Sequence, residues 1–105
     1  MQNTYFVDGV RTPFGKAGEK GVYWNTRADD LVVKAMIGLL DRNQSVPKAA
    51  IDDVAIAATT QTGDQGLTIG RTSAILAGLP NSVPGFAIDR MCAGAMTAVT
   101  MTGSA

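Results

Sequence analysis

The residue with the clearest chemical potential in this 105-residue sequence is its one cysteine, Cys92. A short apolar run over residues 83–89 ends just before it, and the residues after it are small or apolar and carry no charge. This pattern predicts a strand that leads into a helix, with the thiol in the first helical turn. Unpaired N–H groups and the positive end of the helix dipole lie there. Both favour the thiolate, which is the nucleophilic form, so the position suits a catalytic cysteine.

Cys92 also has a simpler interpretation. A free cysteine often behaves as a small buried hydrophobic residue. The chain contains no histidine, which is the usual partner base of a cysteine nucleophile. A place at the carboxyl end of a parallel strand favours function, because catalytic sites of α/β sheets collect there. From these considerations alone, both interpretations of Cys92 stay open.

The hydrophobic pattern predicts an α/β fold that would position Cys92. Strands are predicted at residues 5–7, 54–60 and 83–89, and helices at residues 27–42, 47–51, 66–77 and from Cys92 onward. Thr26 and Asp29 resemble a capping box. Strands that alternate with helices indicate βαβ crossovers on a mostly parallel sheet. Because the last helix carries no charge, we expect it to be buried, although the 105 residues offer little to cover it.

Composition and charge narrow the possible functions. Nine basic and nine acidic residues give a net charge of zero, which predicts no nucleic-acid partner and no anionic membrane surface as a partner. A single cysteine fits a reducing compartment, and the sequence has neither a signal peptide nor an apolar run long enough to span a bilayer. We therefore expect a cytoplasmic protein. Without histidine or paired cysteines, we expect no metal site.

Five short motifs resemble those of the thiolases, the acetyl-CoA acyltransferases and acetyltransferases. They occur in the expected order: RTPFGK at residues 11–16, RADDL at 27–31, IDDV at 51–54, AGLP at 77–80 and DRMC at 89–92. One such motif would be weak evidence, but five in register are specific. The resemblance covers nearly the whole chain and matches the N-terminal part of the family. We therefore expect residues 1–105 to form an incomplete N-terminal thiolase-like domain.

The resemblance implies that Cys92 is the acyl-accepting nucleophile. Its thiolate would attack a 3-ketoacyl-CoA, release acetyl-CoA and pass the shortened acyl group to CoA, or catalyse the reverse Claisen condensation. The Cys92 N–H would contribute to the oxyanion hole. Acyl-CoA and CoA would be substrates, no cofactor would be tightly bound, and the enzyme would form a homodimer or homotetramer in fatty-acid metabolism (β-oxidation). The family's histidine and second cysteine lie further along, so we expect the 105-residue chain alone to be inactive. Because little covers its uncharged last helix, we also expect it to be poorly soluble.

Three residues near Cys92 depart from the family pattern. Many thiolases have Ser-Gly where this chain has Gly94 and Ala95, and Asp89 stands where asparagine is common. These departures leave open a non-catalytic thiolase-like protein that binds acyl-CoA or lipid. Another condensing enzyme, of the ketoacyl synthase type, is a further alternative, although the motif at residues 11–16 argues against it. Gln61 is predicted either to support the nucleophile loop or to be an ordinary loop amide.

Overall fold

The computed structural model describes residues 3–105 and shows strands that alternate with helices. The elements in chain order are helix α1 (Ala28–Arg42), strand β1 (Ala55–Ala57), helix α2 (Ile69–Leu76), strand β2 (Phe86–Ile88) and helix α3 (Gly94–Ser104). Short 3-10 turns occur at Lys48–Ala50, Gly63–Gln65 and Met91–Ala93. The two strands are parallel, with Ile56 opposite Ala87. The predicted βαβ unit is therefore present as β1–α2–β2. No helix within residues 3–105 has the length and apolar character needed to cross a membrane.

Helix α1 ends as predicted but begins differently. Asn43 follows its last residue and donates its backbone N–H to the Leu40 carbonyl at 3.1 Å. The predicted capping box is wrong, because the Asp29 carboxylate pairs instead with Arg27 at 3.0 Å. This hydrogen bond lowers the pKa of Asp29 below its ordinary value. The Ala28 N–H donates to the carboxylate of Asp64, which lies in the loop after β1. A distant residue therefore caps the start of this helix.

The two faces of the sheet are packed against different helices. Helix α2 packs on both strands and α1 packs behind it. Their core consists of buried Ala74, Leu79 and Val83 with the half-buried Met36, Leu40, Ile51 and Val54. Side chains alternate along a strand, so Val54, which joins this core, and Ala57, which meets α3 at Gly94, point in opposite directions. We call these sides of the sheet the α2 face and the α3 face.

Helix α2 lies close to β2 because glycines meet there. A Cβ atom on Gly70 would overlap the backbone of Phe86, and one on Gly85 would lie 2.5 Å from the Gly70 carbonyl carbon. The helix begins at Ile69 rather than at the predicted residue 66. The reason is that Leu67 and Thr68 adopt left-handed conformations, with φ of 56° and 51°, which are incompatible with a right-handed helix.

The strand predicted at residues 5–7 is not present. Within residues 3–105 the sheet has two strands, and the side chains of residues 5–7 are between 74% and 87% exposed. A strand needs a neighbour for its backbone hydrogen bonds, and this segment is tied to helices instead. The Thr4 hydroxyl donates to the Gly103 carbonyl at 2.9 Å, and the Asn43 side-chain amide donates to Asp8, also at 2.9 Å. The observed strands are also shorter than predicted, with three residues each.

The buried helix predicted to start at Cys92 is not observed. Helix α3 begins at Gly94, and its buried residues are Gly94 and Ala98. Met96 and Val99 are 72% and 69% exposed. The strands cover one side of this helix, and the rest of the described chain supplies little for the other sides. Helix α3 is therefore partly exposed because these 105 residues contain too few side chains to cover it.

Candidate active site

Cys92 lies at the carboxyl-terminal edge of the parallel strands, as predicted. Strand β2 ends at Ile88, and the 3-10 turn Met91–Ala93 leads to the start of α3 at Gly94. Within this chain Cys92 is exposed. Catalytic groups of α/β sheets collect at this edge. A reactant can therefore reach the sulfur atom from solvent.

The two backbone N–H groups that follow Cys92 close the turn with hydrogen bonds. The Ala93 N–H donates to the Arg90 carbonyl at 3.0 Å, and the Gly94 N–H donates to the Met91 carbonyl. The Cys92 N–H precedes both, in the first turn, where helices leave N–H groups without intrahelical partners. Such an N–H can stabilise negative charge that develops on a nearby oxygen atom. The turn thus places a thiol beside a first-turn backbone N–H.

Two side chains that precede Met91 hold the 3-10 turn Met91–Ala93, which we call the cysteine turn, in place. Asp89 Oδ1 accepts the Met91 N–H at 3.0 Å, and Arg90 Nη1 donates to Thr97 Oγ1 at 3.1 Å. Met91 itself is left-handed, with φ of 48°. The sequence pattern alone does not predict these bonds. A signal was present for Asp89, since aspartate often bonds the backbone two residues ahead in a turn.

The unusual Gly94 and Ala95 occupy very different environments. Gly94 is buried, and a Cβ atom there would lie 3.0 Å from the Ala57 Cβ atom. The missing side chain lets the start of α3 lie close to β1. Ala95 is exposed, so its methyl group does not force the backbones apart. These two departures from the family pattern are therefore accommodated in the fold.

Gln61 and Asp53 lie at opposite ends of β1, and each makes a local hydrogen bond. The Gln61 amide donates to the Ala58 carbonyl at 3.4 Å, which is a local bond at the end of β1. Asp53 accepts the Val54 N–H at 2.8 Å. It precedes β1 and therefore lies at the opposite end of the sheet from Cys92. Asp53 therefore bonds the backbone at the entry to β1, and Gln61 makes a bond within its own loop.

Comparison with known proteins agrees with this arrangement. The family described as thiolase, N-terminal domain, matches residues 4–105. A 3-ketoacyl-CoA thiolase of Pseudoalteromonas translucida is 44% identical over 99 residues, which are 94% of this chain and 25% of that protein. A beta-ketoadipyl-CoA thiolase of Acinetobacter baylyi is 40% identical over 105 residues, 100% of this chain and 26% of that protein.

A more distant relative extends the same pattern. A 3-ketoacyl-CoA thiolase of Escherichia coli is 39% identical over 111 aligned residues, which cover 100% of this chain and 28% of that protein. The chain therefore spans about a quarter of the length of the curated relatives it matches. The family match spans nearly all of the sequence, including all five motifs and the cysteine turn. The chain belongs to the thiolase family, whose N-terminal domain it matches.

Proposed function

We propose that this chain supplies the acyl-accepting cysteine of a thiolase that cleaves 3-ketoacyl-CoA. The observation that carries the proposal is the exposed position of Cys92 at the carboxyl edge of two parallel strands. Membership of the thiolase family and the names of the relatives support the reaction class. Because the chain spans about a quarter of those relatives, the proposal concerns the complete protein that carries these residues.

The proposed reaction has two acyl-transfer steps at the Cys92 sulfur atom. The thiolate attacks the keto carbon, C3, of the 3-ketoacyl-CoA and forms a C–S bond. The C2–C3 bond then breaks, its electron pair stays on C2, and C2 takes up a proton to give acetyl-CoA. In the second step the thiolate of CoA attacks the thioester carbon, and the acyl group leaves the enzyme with the Cys92 thiolate restored. Dividing one difficult cleavage between two easier transfers is the advantage of covalent catalysis.

The backbone of the cysteine turn is proposed to stabilise the first intermediate. When sulfur attacks C3, negative charge moves onto the keto oxygen. The Cys92 N–H, in the first turn before α3, would donate to that oxygen. The adjacent helix start adds a positive electrostatic contribution. These groups need no reorganisation during the reaction because the backbone already holds them.

The reaction also requires two proton transfers, one from the Cys92 thiol and one to C2. The chain contains no histidine and no second cysteine, so a base for Cys92 and an acid for C2 have no obvious source here. We propose that other parts of the complete protein supply them. Acyl-CoA and CoA as substrates, a homo-oligomeric assembly and a cytoplasmic location likewise stay predictions.

Acetylation of the complete protein tests the proposal directly. After incubation with acetyl-CoA and digestion, mass spectrometry should find an acetyl group on Cys92. The rate of acetoacetyl-CoA thiolysis should fall by at least about a thousandfold in the Cys92→Ser variant, because a serine hydroxyl is a weaker nucleophile than a cysteine thiolate. Met101→Leu, a conservative change on the partly exposed side of α3, serves as the control and should retain full turnover.

Two outcomes would contradict the proposal. Turnover retained in Cys92→Ser would show that another group accepts the acyl chain. Absence of the acetyl adduct in a folded protein that still binds acyl-CoA would favour the non-catalytic alternative.

A further inference from the structure

The residue before Cys92 has a backbone conformation that its side chain does not favour. Met91 has φ of 48°, in the left-handed region where any residue with a Cβ atom is disfavoured. Its side chain is 72% exposed, so packing does not hold it there. The backbone direction at Met91 fixes where Cys92 points. Something else must therefore keep this turn in place.

Asp89 provides the nearest such restraint. Its Oδ1 atom accepts the Met91 N–H at 3.0 Å, closing a side-chain turn of the kind that aspartate and asparagine commonly form. Asp89 directly follows β2, which is paired with β1. The bond thus connects the fixed end of a strand to the strained residue that precedes the thiol.

Arg90 provides a second restraint on the turn. Arg90 Nη1 donates to Thr97 Oγ1 at 3.1 Å, which ties the turn to α3. This bond spans seven positions of the chain and does not involve the Met91 backbone. Of these two side-chain bonds, the one from Asp89 is therefore the one that acts directly on the left-handed residue.

We infer that Asp89 is a positioning residue, which holds Met91 left-handed and thereby aims the Cys92 thiol and N–H at the acyl group. This inference rests on the proposed role of Cys92. Reacting atoms must be held close to the attack geometry, and small displacements of a nucleophile slow the reaction. The contribution of Asp89 comes from its acceptor atom and not from its charge. An asparagine would present the same kind of oxygen to the Met91 N–H.

Two variants at position 89 separate these contributions. The rate of Cys92 acetylation by acetyl-CoA is measured in the complete protein by time-resolved mass spectrometry. Asp89→Ala removes the acceptor and should slow acetylation roughly tenfold, the effect of one lost hydrogen bond. Asp89→Asn restores the acceptor and should stay within about twofold of the parent protein, since the same bond can form.

The chain offers a matched control in Asp53. Its Oδ1 accepts the N–H of the next residue, Val54, at 2.8 Å, which is also a local side-chain bond to the backbone but lies at the other end of the sheet. Asp53→Ala should leave the acetylation rate unchanged. A further variant addresses the backbone itself, because glycine adopts the left-handed conformation without a Cβ penalty. Adding Met91→Gly to Asp89→Ala should restore part of the lost rate.

Hydrogen exchange at the Met91 amide separates this inference from the proposed function. Exchange should be faster in Asp89→Ala than in the parent protein and unchanged in Asp89→Asn.

If the parent protein is not acetylated but the variants show this exchange pattern, the proposed function is wrong and the role of Asp89 in holding the turn is retained. An acetylated parent with equal rates in Asp89→Ala overturns the positioning role. Asp89→Asn as slow as Asp89→Ala would also overturn the inference, because charge would then be the contribution. So would equal slowing in Asp53→Ala, which would indicate a general loss of stability.

Discussion

The two faces of the two-stranded sheet are covered to different extents by their helices. On the α2 face, α2 buries Ile69, Gly70, Ser73 and Ala74, and α1 covers it from behind. On the α3 face, α3 buries Gly94 and Ala98 and leaves Met96 and Val99 exposed. Burial of apolar area is the main source of folding free energy. Stability therefore comes chiefly from the α2 face, while the cysteine lies where α3 begins, beside the less covered face.

Substitution of Gly70 should disrupt the packing of α2 against β2 and have the largest effect on the free energy of unfolding. A Cβ atom at this position would overlap the Phe86 backbone, which cannot move without disturbing the paired strands. We expect Gly70→Ala to lower the free energy of unfolding by about 3 kcal/mol, measured by urea unfolding with circular dichroism.

Gly38 provides the matched control for that measurement. It also lies in a helix, α1, but a Cβ atom there would meet nothing within 4 Å. Gly38→Ala should raise the free energy of unfolding by roughly 0.5–1 kcal/mol, since alanine favours the helix. Equal effects of the two substitutions would show that α2 and β2 do not approach as closely as described.

The difference between the faces also shows what the sequence could predict. The spacing of apolar residues predicts α1, and the small residues after Cys92 predict a helix, because both patterns are local. The cap that Asp64 provides for α1 could not be predicted, since its partner lies 36 positions away in the chain. Residues 5–7 have the composition of a strand, yet no neighbour pairs with them within the described chain. Propensity alone cannot supply that neighbour.

The same distinction applies to the candidate site. The position of Cys92 at the carboxyl edge of the strands followed from the order of strand and helix. The left-handed Met91 and its bond to Asp89 did not, because φ at a single residue depends on the geometry of the whole turn. The exposure of α3 depends on which parts of the chain lie around it. The sequence therefore predicts the place of the candidate nucleophile, and the structure is needed to describe how its turn is held.

Shortening a core valine should have the second largest effect. Val83 is fully buried in the core of the α2 face, and Val83→Ala removes two methyl groups and leaves a cavity. We expect a loss of about 2 kcal/mol in the free energy of unfolding. Val22→Ala is the control, because Val22 is 77% exposed in a loop and its change should stay within about 0.5 kcal/mol. A loss at Val83 no larger than this would contradict the assignment of the core to the α2 face.

Residues 4–8 are attached to α1 through Asp8 and to the end of α3 through Thr4. Lowering the pH should release the attachment to α1. The Asp8 carboxylate accepts bonds from Asn43 and Arg42 at the end of α1. The bond from Asn43 is the main cause that lowers the pKa of Asp8 below its ordinary value of 3.8, aided by the Gly9 N–H. A lowered folded-state pKa means that this stabilisation is present above 3.8 and is lost as the pH falls through the folded value.

The second attachment does not titrate in this range, because it joins the Thr4 hydroxyl to the Gly103 carbonyl. We therefore expect acid to free the segment from α1 while Thr4 stays bound to the end of α3. The effect should be small, since the Arg42 partner of Asp8 is 60% exposed and such ion pairs contribute little. The Asn43 side-chain amide signals in an NMR titration should move below pH 3.8 in the parent protein and stay constant in Asp8→Asn. Movement in both proteins would assign the transition to another carboxylate, and the α1 attachment would then not depend on the charge of Asp8.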